Sequence, residues 1–223
     1  MNLEDRIKLV KDDDVTWNWD DSNPNHYSKT PGSTWGVHAK FDPFPCYSHD
    51  INLVTETAKK VEARFPIRFD TFYFLFPFEP VSRTNGQAST NTVKYAERDT
   101  GDKGTWEGVI HLYGKRIPLH PAMTRYLVCH EYGHIVDSWI CNRRHLNDSG
   151  MDEEYAKMRG IDNNQKYGGR KWHTNIGEII ANDFRIAVCN VESEFWPHEV
   201  AHPKDCPQVH DFWYRMMLEY AGG

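Results

Sequence analysis

The amino-acid sequence predicts an α+β fold, in which a small mixed or antiparallel sheet packs on two helices that carry metal-binding residue types. Three observations support this class. An apolar, β-prone run covers 67–78, an alternating segment covers 108–113, and strongly periodic helical segments follow at 121–142 and 176–190. With 223 residues the chain can bury one substantial core, so we expect a single domain over 1–223.

The first part of the chain predicts one clear helix. Residues 1–48 are rich in Trp, Asp, Asn, Pro and Gly, and we expect an irregular segment wrapped on the core, apart from a short helix near 3–10. Asp50 suits the N-cap of a helix over 51–65, where apolar residues recur at helical spacing. Pro66 then ends that helix.

The strands are predicted from their side-chain patterns. The run 67–78 is typical of a strand that is covered on both faces, because its aromatic and aliphatic residues are nearly continuous. Turn-forming residues dominate 79–107, where only 92–95 resembles a short strand. The alternation over 108–113 predicts a further strand, either a sheet edge that could pair with an extended peptide or an ordinary inner strand.

Helices dominate the predictions for the second half. The segment 121–142 begins with a proline, which suits the first turn of a helix, and 150–169 is polar and loop-like. Asn175 can cap a helix over 176–190, whose apolar residues form one stripe. A final amphipathic helix is expected at about 208–220.

Composition limits the classes of function. The net charge is −6, which argues against nucleic acid and anionic membranes as partners. Five cysteines without any CxxC pair signal neither a disulfide framework nor a cysteine zinc site. We find no signal-peptide or membrane-spanning pattern and expect a cytoplasmic protein, or a secreted one if a leader was removed. Oligomeric state cannot be read from the sequence.

The motif His130-Glu131-Tyr132-Gly133-His134 carries the chemistry. Helical residues four apart lie one above the other, so His130 and His134 can share one tetrahedral zinc ion. Glu131 points aside from the metal and suits a general base that takes a proton from zinc-bound water. A core helix with an exposed histidine pair is the alternative. We expect one zinc ion per chain.

Catalytic zinc needs a third protein ligand, and Glu178 is the best candidate. It lies near the start of the helix over 176–190, three residues after Asn175, so it could instead take part in capping that helix. Ala181 is small enough to let this helix pack closely on the zinc helix. Asn182 could accept a hydrogen bond from the second nitrogen of a ligand histidine.

A second HExxH match occurs at His198-Glu199-Val200-Ala201-His202. Pro203 follows directly and disfavours helical dihedrals at His202, so at most one helical turn can form there. We therefore assign zinc to the first motif. The side chains of His198, His202, Cys206 and His210 could still form a minor surface metal site.

The order of motifs resembles a known peptidase family. HEYGHIVD at 130–137, Tyr167-Gly168 and then GEIIANDFR at 177–185 are similar to the catalytic domain of anthrax lethal factor and to Pro-Pro endopeptidases. The resemblance implies a zincin-like fold of the gluzincin type. It also implies that a tyrosine upstream of the ligand glutamate steadies the tetrahedral intermediate. Tyr167 matches that tyrosine at a wider spacing, with His173 as the substitute.

The expected function is a zinc-dependent endopeptidase, a hydrolase that acts on a peptide or protein substrate. The pattern from Glu178 to Phe184 also resembles regulatory metallopeptidases that cleave phage or stress repressors. A non-catalytic zinc-binding interaction domain would not need Glu131. A zinc hydrolase that acts on another kind of bond is the remaining alternative, because HExxH specifies the activated water more firmly than the bond attacked.

Overall fold

A computed structural model describes residues 1–10, 16–18, 27–29, 36–38, 49–67, 70–76, 86–92, 106–114, 118–143, 149–161, 175–192, 196, 198 and 200–221. Internal contacts divide the chain into two compact units. Unit 1 comprises Met1–Glu56 and Phe69–Leu127, and unit 2 comprises Thr57–Arg68 and Val128–Gly223. The single domain expected from the chain length stays a prediction.

Helices and strands alternate early in the chain, and helices dominate later. In order they are α1 (Leu3–Arg6), β1 (Ile7–Leu9), β2 (Thr16–Asn18), β3 (Tyr27–Lys29), β4 (Gly36–His38), α2 (Ile51–Arg64), β5 (Asp70–Leu75), β6 (Gly86–Thr92), β7 (Trp106–Leu112), α3 (Pro121–Arg143), α4 (Ser149–Arg159), α5 (Ile176–Ala187), a 3₁₀ helix (Pro203–Asp205), α6 (Pro207–Met216) and a π-helix (Met217–Ala221). The mixed α and β composition predicted from the sequence is confirmed. No helix in the described part of the chain is long and apolar enough to cross a bilayer.

Unit 1 contains a four-stranded sheet in the order β1-β5-β7-β6. Strands β1, β5 and β7 are parallel, and β6 runs antiparallel to β7. The sheet is therefore mixed, and a wholly antiparallel sheet is not what forms. Because β7 pairs on both sides, it is an inner strand, and the alternative that 108–113 forms a peptide-binding edge is wrong.

The sheet core follows from the side-chain patterns of β5 and β7. Tyr73 and Leu75 in β5 are fully buried, as expected for a strand covered on both faces. On one face Phe74 and Val109 belong to a cluster of buried apolar residues. His49 is buried between β7 and α3, where its Nε2 lies 3.1 Å from the carbonyl oxygen of Tyr113 and its Nδ1 lies 3.1 Å from Thr124 Oγ1.

The described residues within 1–38 form more helix and strand than the irregular structure expected over 1–48. The short helix predicted near 3–10 is only α1, and β1 follows it and joins the sheet beside β5. Strands β2, β3 and β4 form a separate three-stranded antiparallel sheet. Each has only three residues, which is too short for an alternating pattern to be recognised in the sequence.

Unit 2 is helical, and its centre is aromatic. The ring of Phe65, at the end of α2, makes edge contacts with the rings of Trp139, Phe184 and Trp213, at centroid distances of 6.3, 5.8 and 6.3 Å. These contacts tie the end of α2 to α3, α5 and α6. Arg64 donates to the carbonyl oxygen of Val188 at 2.8 Å and so satisfies an acceptor at the end of α5.

Most predicted boundaries in this region hold within a few residues. Asp50 caps α2 by accepting from the backbone N–H of Asn52 at 2.8 Å, and Asn175 caps α5 by accepting from Gly177 at 2.9 Å. The prediction of a polar loop over 150–169 is wrong in its first part, since α4 covers Ser149–Arg159. The strand expected at 92–95 lies outside the described residues except for Thr92, which is the last residue of β6.

Candidate metal centre

Helix α3 holds the two histidines of HEYGH on one face. Helix α3 confirms the predicted helix over 121–142. Just after the motif, the buried side chains of Ile135 and Trp139 pack this helix into the core. Tyr132, within the motif, is fully buried and donates its hydroxyl to the carbonyl oxygen of Phe65 at 3.0 Å. The helix is therefore anchored at the position where it carries the ligand pair.

Helix α5 approaches α3 closely at a glycine. A β-carbon added to Gly133 would lie 3.0 Å from Ala181 Cα, 3.1 Å from its carbonyl oxygen and 3.2 Å from Phe184 Cδ1. Only a hydrogen fits there without displacing the neighbouring backbone. The expectation that the small side chain of Ala181 permits close packing is supported, and the approach brings Glu178 over the histidine pair.

The side chains of the three predicted ligands lie close together. Nε2 of His130 lies 3.1 Å from Glu178 Oε2, and Nε2 of His134 lies 3.7 Å from Glu178 Oε1. The imidazole rings are 4.8 Å apart between centroids and nearly perpendicular, at 87°. Both carboxylate oxygens of Glu178 face the histidines, which favours the ligand interpretation of Glu178 over the capping one.

The donor set fits zinc. Two imidazole nitrogens and one carboxylate are a ligand set of catalytic zinc sites, which leave a fourth position open. A tetrahedral ion with bonds of about 2.0–2.2 Å holds its ligand atoms about 3.4 Å apart. The two measured distances, 3.1 and 3.7 Å, lie on either side of that value, and all three donor atoms lie within 4.8 Å of one another.

The electrostatics favour the protonation states that metal ligands need at two of the three candidates, His130 and Glu178. Burial lowers the pKa of His130 to about 4, against the hydrogen bond with Glu178, so its imidazole is neutral at pH 7. Burial opposes ionisation of Glu178, yet its contacts with both histidines hold the pKa of its carboxyl well below the usual range. Burial lowers the pKa of His134, but the negative charges around it outweigh that effect and raise it.

Glu131 lies buried beside this cluster, with 5% of its surface exposed. Burial raises the pKa of its carboxyl to about 7; the charge of His134 lowers it and that of Glu178 raises it. A carboxyl whose pKa lies near neutrality can both accept and return a proton. Asp137, one turn after His134, adds negative charge near that histidine and accepts a weak hydrogen bond from the Cys141 thiol at 3.7 Å.

The acceptor role expected of Asn182 toward a ligand histidine stays a prediction. The Oδ1 of Asn182 accepts from Arg185 Nε at 3.2 Å. Its Nδ2 lies 3.1 Å from the carbonyl oxygen of Glu178 and 2.9 Å from Nε2 of His198. The contact with His198 connects a distant segment to α5, and no local pattern predicts it.

The described residues of the second HExxH sequence, 198 and 200–202, are not helical, as expected from Pro203. His202 accepts from the backbone N–H of Lys204 as the N-cap of the 3₁₀ helix. Cys206 directly follows that helix, and His210 lies in α6. The four residues proposed as a minor metal site are not gathered into a metal-binding group. Within the described ranges, His130, His134 and Glu178 are the one such cluster.

A buried charged group behind α5 was not expected from the sequence. Asp183 is fully buried, accepts from the Tyr155 hydroxyl at 2.5 Å and forms an ion pair with Arg159 Nε at 2.9 Å. It joins α4 to α5. The available signal was a pair of charged residues, Asp183 and Arg185, inside an otherwise apolar helical stripe.

The two candidates for the oxyanion, Tyr167 and His173, lie outside the described residues. No family model matches this chain, and comparisons with curated proteins and with solved structures find no match either. The resemblance to the lethal factor family therefore stays a prediction.

Proposed function

We propose that this chain is a zinc-dependent endopeptidase of the gluzincin type, with a zincin-like fold, that hydrolyses peptide or protein substrates. One observation carries the proposal. The carboxylate of Glu178 reaches both imidazoles of the HExxH motif, while Glu131 of the same motif is buried next to them. Three ligands and a general base are the parts that zinc-promoted hydrolysis requires.

The residues have distinct tasks in this mechanism. Zinc held by His130, His134 and Glu178 would polarise the scissile carbonyl and lower the pKa of its bound water. Glu131 takes a proton from the attacking water and delivers it to the departing amine. The pKa of its carboxyl, raised by burial to about 7, suits both transfers near neutral pH. The lowered pKa of Glu178 keeps that carboxylate ionised as a ligand.

The oxyanion partner is proposed from the family resemblance alone. Tyr167 would donate a hydrogen bond to the developing oxyanion, and His173 is the substitute. Replacing Tyr167 with Phe should then lower turnover without weakening zinc binding, whereas an unchanged turnover would assign the role to His173.

A non-catalytic zinc-binding domain is the alternative from a different class. Such a domain needs the three ligands but gains nothing from Glu131, and burying a carboxyl group costs free energy unless it is compensated. The buried position of Glu131 therefore favours an enzyme. Regulatory cleavage of a repressor is a narrower version of the same peptidase activity, and the choice of substrate tests it.

The test is a peptide-library screen on zinc-loaded protein, comparing the wild type with Glu131→Gln. The amide keeps the size of the carboxylate but cannot accept the proton, and general-base catalysis typically contributes about 10²–10⁴-fold. We expect turnover to fall by that factor while zinc stays bound. Glu153→Gln, which changes an exposed carboxylate of α4, is the matched control and should leave turnover unchanged.

Two results would contradict the proposal. Cleavage by Glu131→Gln within a few-fold of the wild type would remove Glu131 as the base. Stoichiometric zinc binding without cleavage of any library member would favour a binding domain or a hydrolase for another kind of bond.

A further inference from the structure

The second HExxH sequence turns one of its histidines inward. His198 is only 7% exposed, and the ring of Trp196 lies against it with centroids 4.8 Å apart. Trp196 is held in turn by a hydrogen bond of 2.7 Å from its indole Nε1 to the carbonyl oxygen of Val200. His202, by contrast, is partly exposed and caps the following 3₁₀ helix. The two histidines of this segment therefore have different environments.

The partner of His198 is Asn182, whose amide orientation is fixed by chemistry. Asn182 Oδ1 lies 3.2 Å from Arg185 Nε, which can only donate, and Nδ2 lies 3.1 Å from the carbonyl oxygen of Glu178, which can only accept. These two contacts exclude the flipped amide. The third contact, 2.9 Å from Nδ2 to His198 Nε2, therefore has Asn182 as the donor. His198 Nε2 must carry a lone pair, and a neutral ring has its proton on Nδ1.

We propose that His198 is a positioning residue for the metal centre, acting through Asn182 on the backbone of Glu178. The inference rests on the proposed zinc site. Asn182 lies one turn after Glu178, so its bond to the Glu178 carbonyl restrains the turn of α5 from which the third ligand projects. His198 accepts the other amide proton and fixes the Asn182 rotamer. A residue of the second HExxH sequence thus helps to position a proposed ligand of the first motif.

The size of the effect follows from its distance to the metal. Groups that orient metal ligands directly change metal affinity by about 10–100-fold when they are removed. His198 acts through one further residue, so we expect His198→Ala to weaken zinc binding by about 5–10-fold, at or just below the lower limit of that range. His198→Gln places an amide oxygen near the position of Nε2 and should restore the affinity to within about twofold.

The test measures zinc dissociation constants by competition with a chromophoric chelator, so it needs no substrate. His202→Ala, in the same segment, is the matched control and should bind zinc like the wild type. A merely structural role predicts that Ala and Gln lower the unfolding temperature of the metal-free protein alike, with no rescue of zinc affinity by Gln. That pattern would overturn the proposal.

Two further measurements keep the inference decidable. If His198→Ala does not fold, His198→Leu takes its place in the comparison, because leucine fills a similar volume but has no hydrogen-bond acceptor. Equal zinc affinity for His198→Leu and His198→Gln would then overturn the proposal. Nitrogen NMR of the wild-type imidazoles should show His198 protonated on Nδ1, and protonation on Nε2 would contradict it. Wild-type affinity in His198→Ala defeats the positioning role alone, whereas a wild type that binds no zinc defeats the proposed function as well.

Discussion

The two glutamates of the candidate site, Glu131 and Glu178, have pKa values that are shifted in opposite directions. Contacts with both histidines lower the pKa of Glu178, whereas burial raises that of Glu131 to about 7. A ligand must be ionised to hold a cation, and a base must exchange a proton near neutral pH. This difference supports the proposed ligand role of Glu178 and the proposed base role of Glu131.

This assignment predicts different effects on metal affinity. Glu178→Ala removes one of three protein ligands and should weaken zinc binding by at least about 100-fold, beyond the effect of outer groups. Glu131→Gln should leave zinc affinity within a few-fold of the wild type. Chelator competition on both variants provides the measurement. If the two variants bind zinc equally tightly, Glu178 is not a ligand.

A second prediction at the residue scale concerns pH and unit 1. Burial lowers the pKa of His111 from 6.5 to about 4, and its ring packs against Phe76 with centroids 5.1 Å apart. Between pH 6.5 and about pH 4, His111 binds a proton in the unfolded chain but not in the folded chain. The free energy of unfolding should therefore fall as the pH drops from 6.5 to about 4, by on the order of 3 kcal/mol from this group, and the contribution is fully present above 6.5.

Urea unfolding of the metal-free protein at pH 7 and pH 4.5 measures this dependence. His111→Phe should remove the His111 share of the fall, while His210→Asn, which changes an exposed histidine, should retain it. An identical pH dependence in His111→Phe and the wild type would show that His111 is not the group responsible.

At the scale of elements, the distance between α3 and α5 depends on Gly133. Gly133→Ala would place a methyl group 3.0 Å from backbone atoms of Ala181, and the helices must separate by a few tenths of an ångström to admit it. Overpacking typically costs about 1–3 kcal/mol, which exceeds the gain of about 1 kcal/mol from replacing glycine in a helix. We expect lower thermal stability and weaker zinc binding.

Gly177→Ala is the matched control for this prediction. It lies in α5 beside Glu178, but an added β-carbon there meets only Asn175 Oδ1 at 3.4 Å, an ordinary contact. Calorimetry and zinc competition compare the two variants. Equal stability and zinc affinity in Gly133→Ala and Gly177→Ala would refute the close-approach argument.

The elements that sequence patterns missed have partners far along the chain. Strand β6 (Gly86–Thr92) has few apolar residues, and its pairing with β7 provides the hydrogen bonds that no local pattern reveals. Helix α4 buries Arg159 toward Asp183, whereas pattern rules count arginine as an exposed residue. By contrast, α2 and α5 carry both a cap and an apolar stripe, so their starts were predictable.

At the scale of the whole molecule, the candidate site was predictable because its signals are local. The HExxH motif places two candidate ligands and a candidate base on one helix, and a capped helix downstream carries Glu178 as the third candidate ligand. The network behind Glu178 was not predictable, since Asn182 and His198 meet only through the path of the chain between them. The HExxH motif specifies the activated water more firmly than the bond attacked, so the sequence predicts the class of reaction more firmly than its substrate.

The central claim is that one zinc ion lies between His130, His134 and Glu178. Diffraction from crystals grown with zinc, collected on both sides of the zinc absorption edge, measures this directly. We expect one strong anomalous peak per chain, about 2.0–2.2 Å from Nε2 of each histidine and from a Glu178 carboxylate oxygen. A peak at the His198–His202 segment, or none at all in protein that retains its fold, would contradict it.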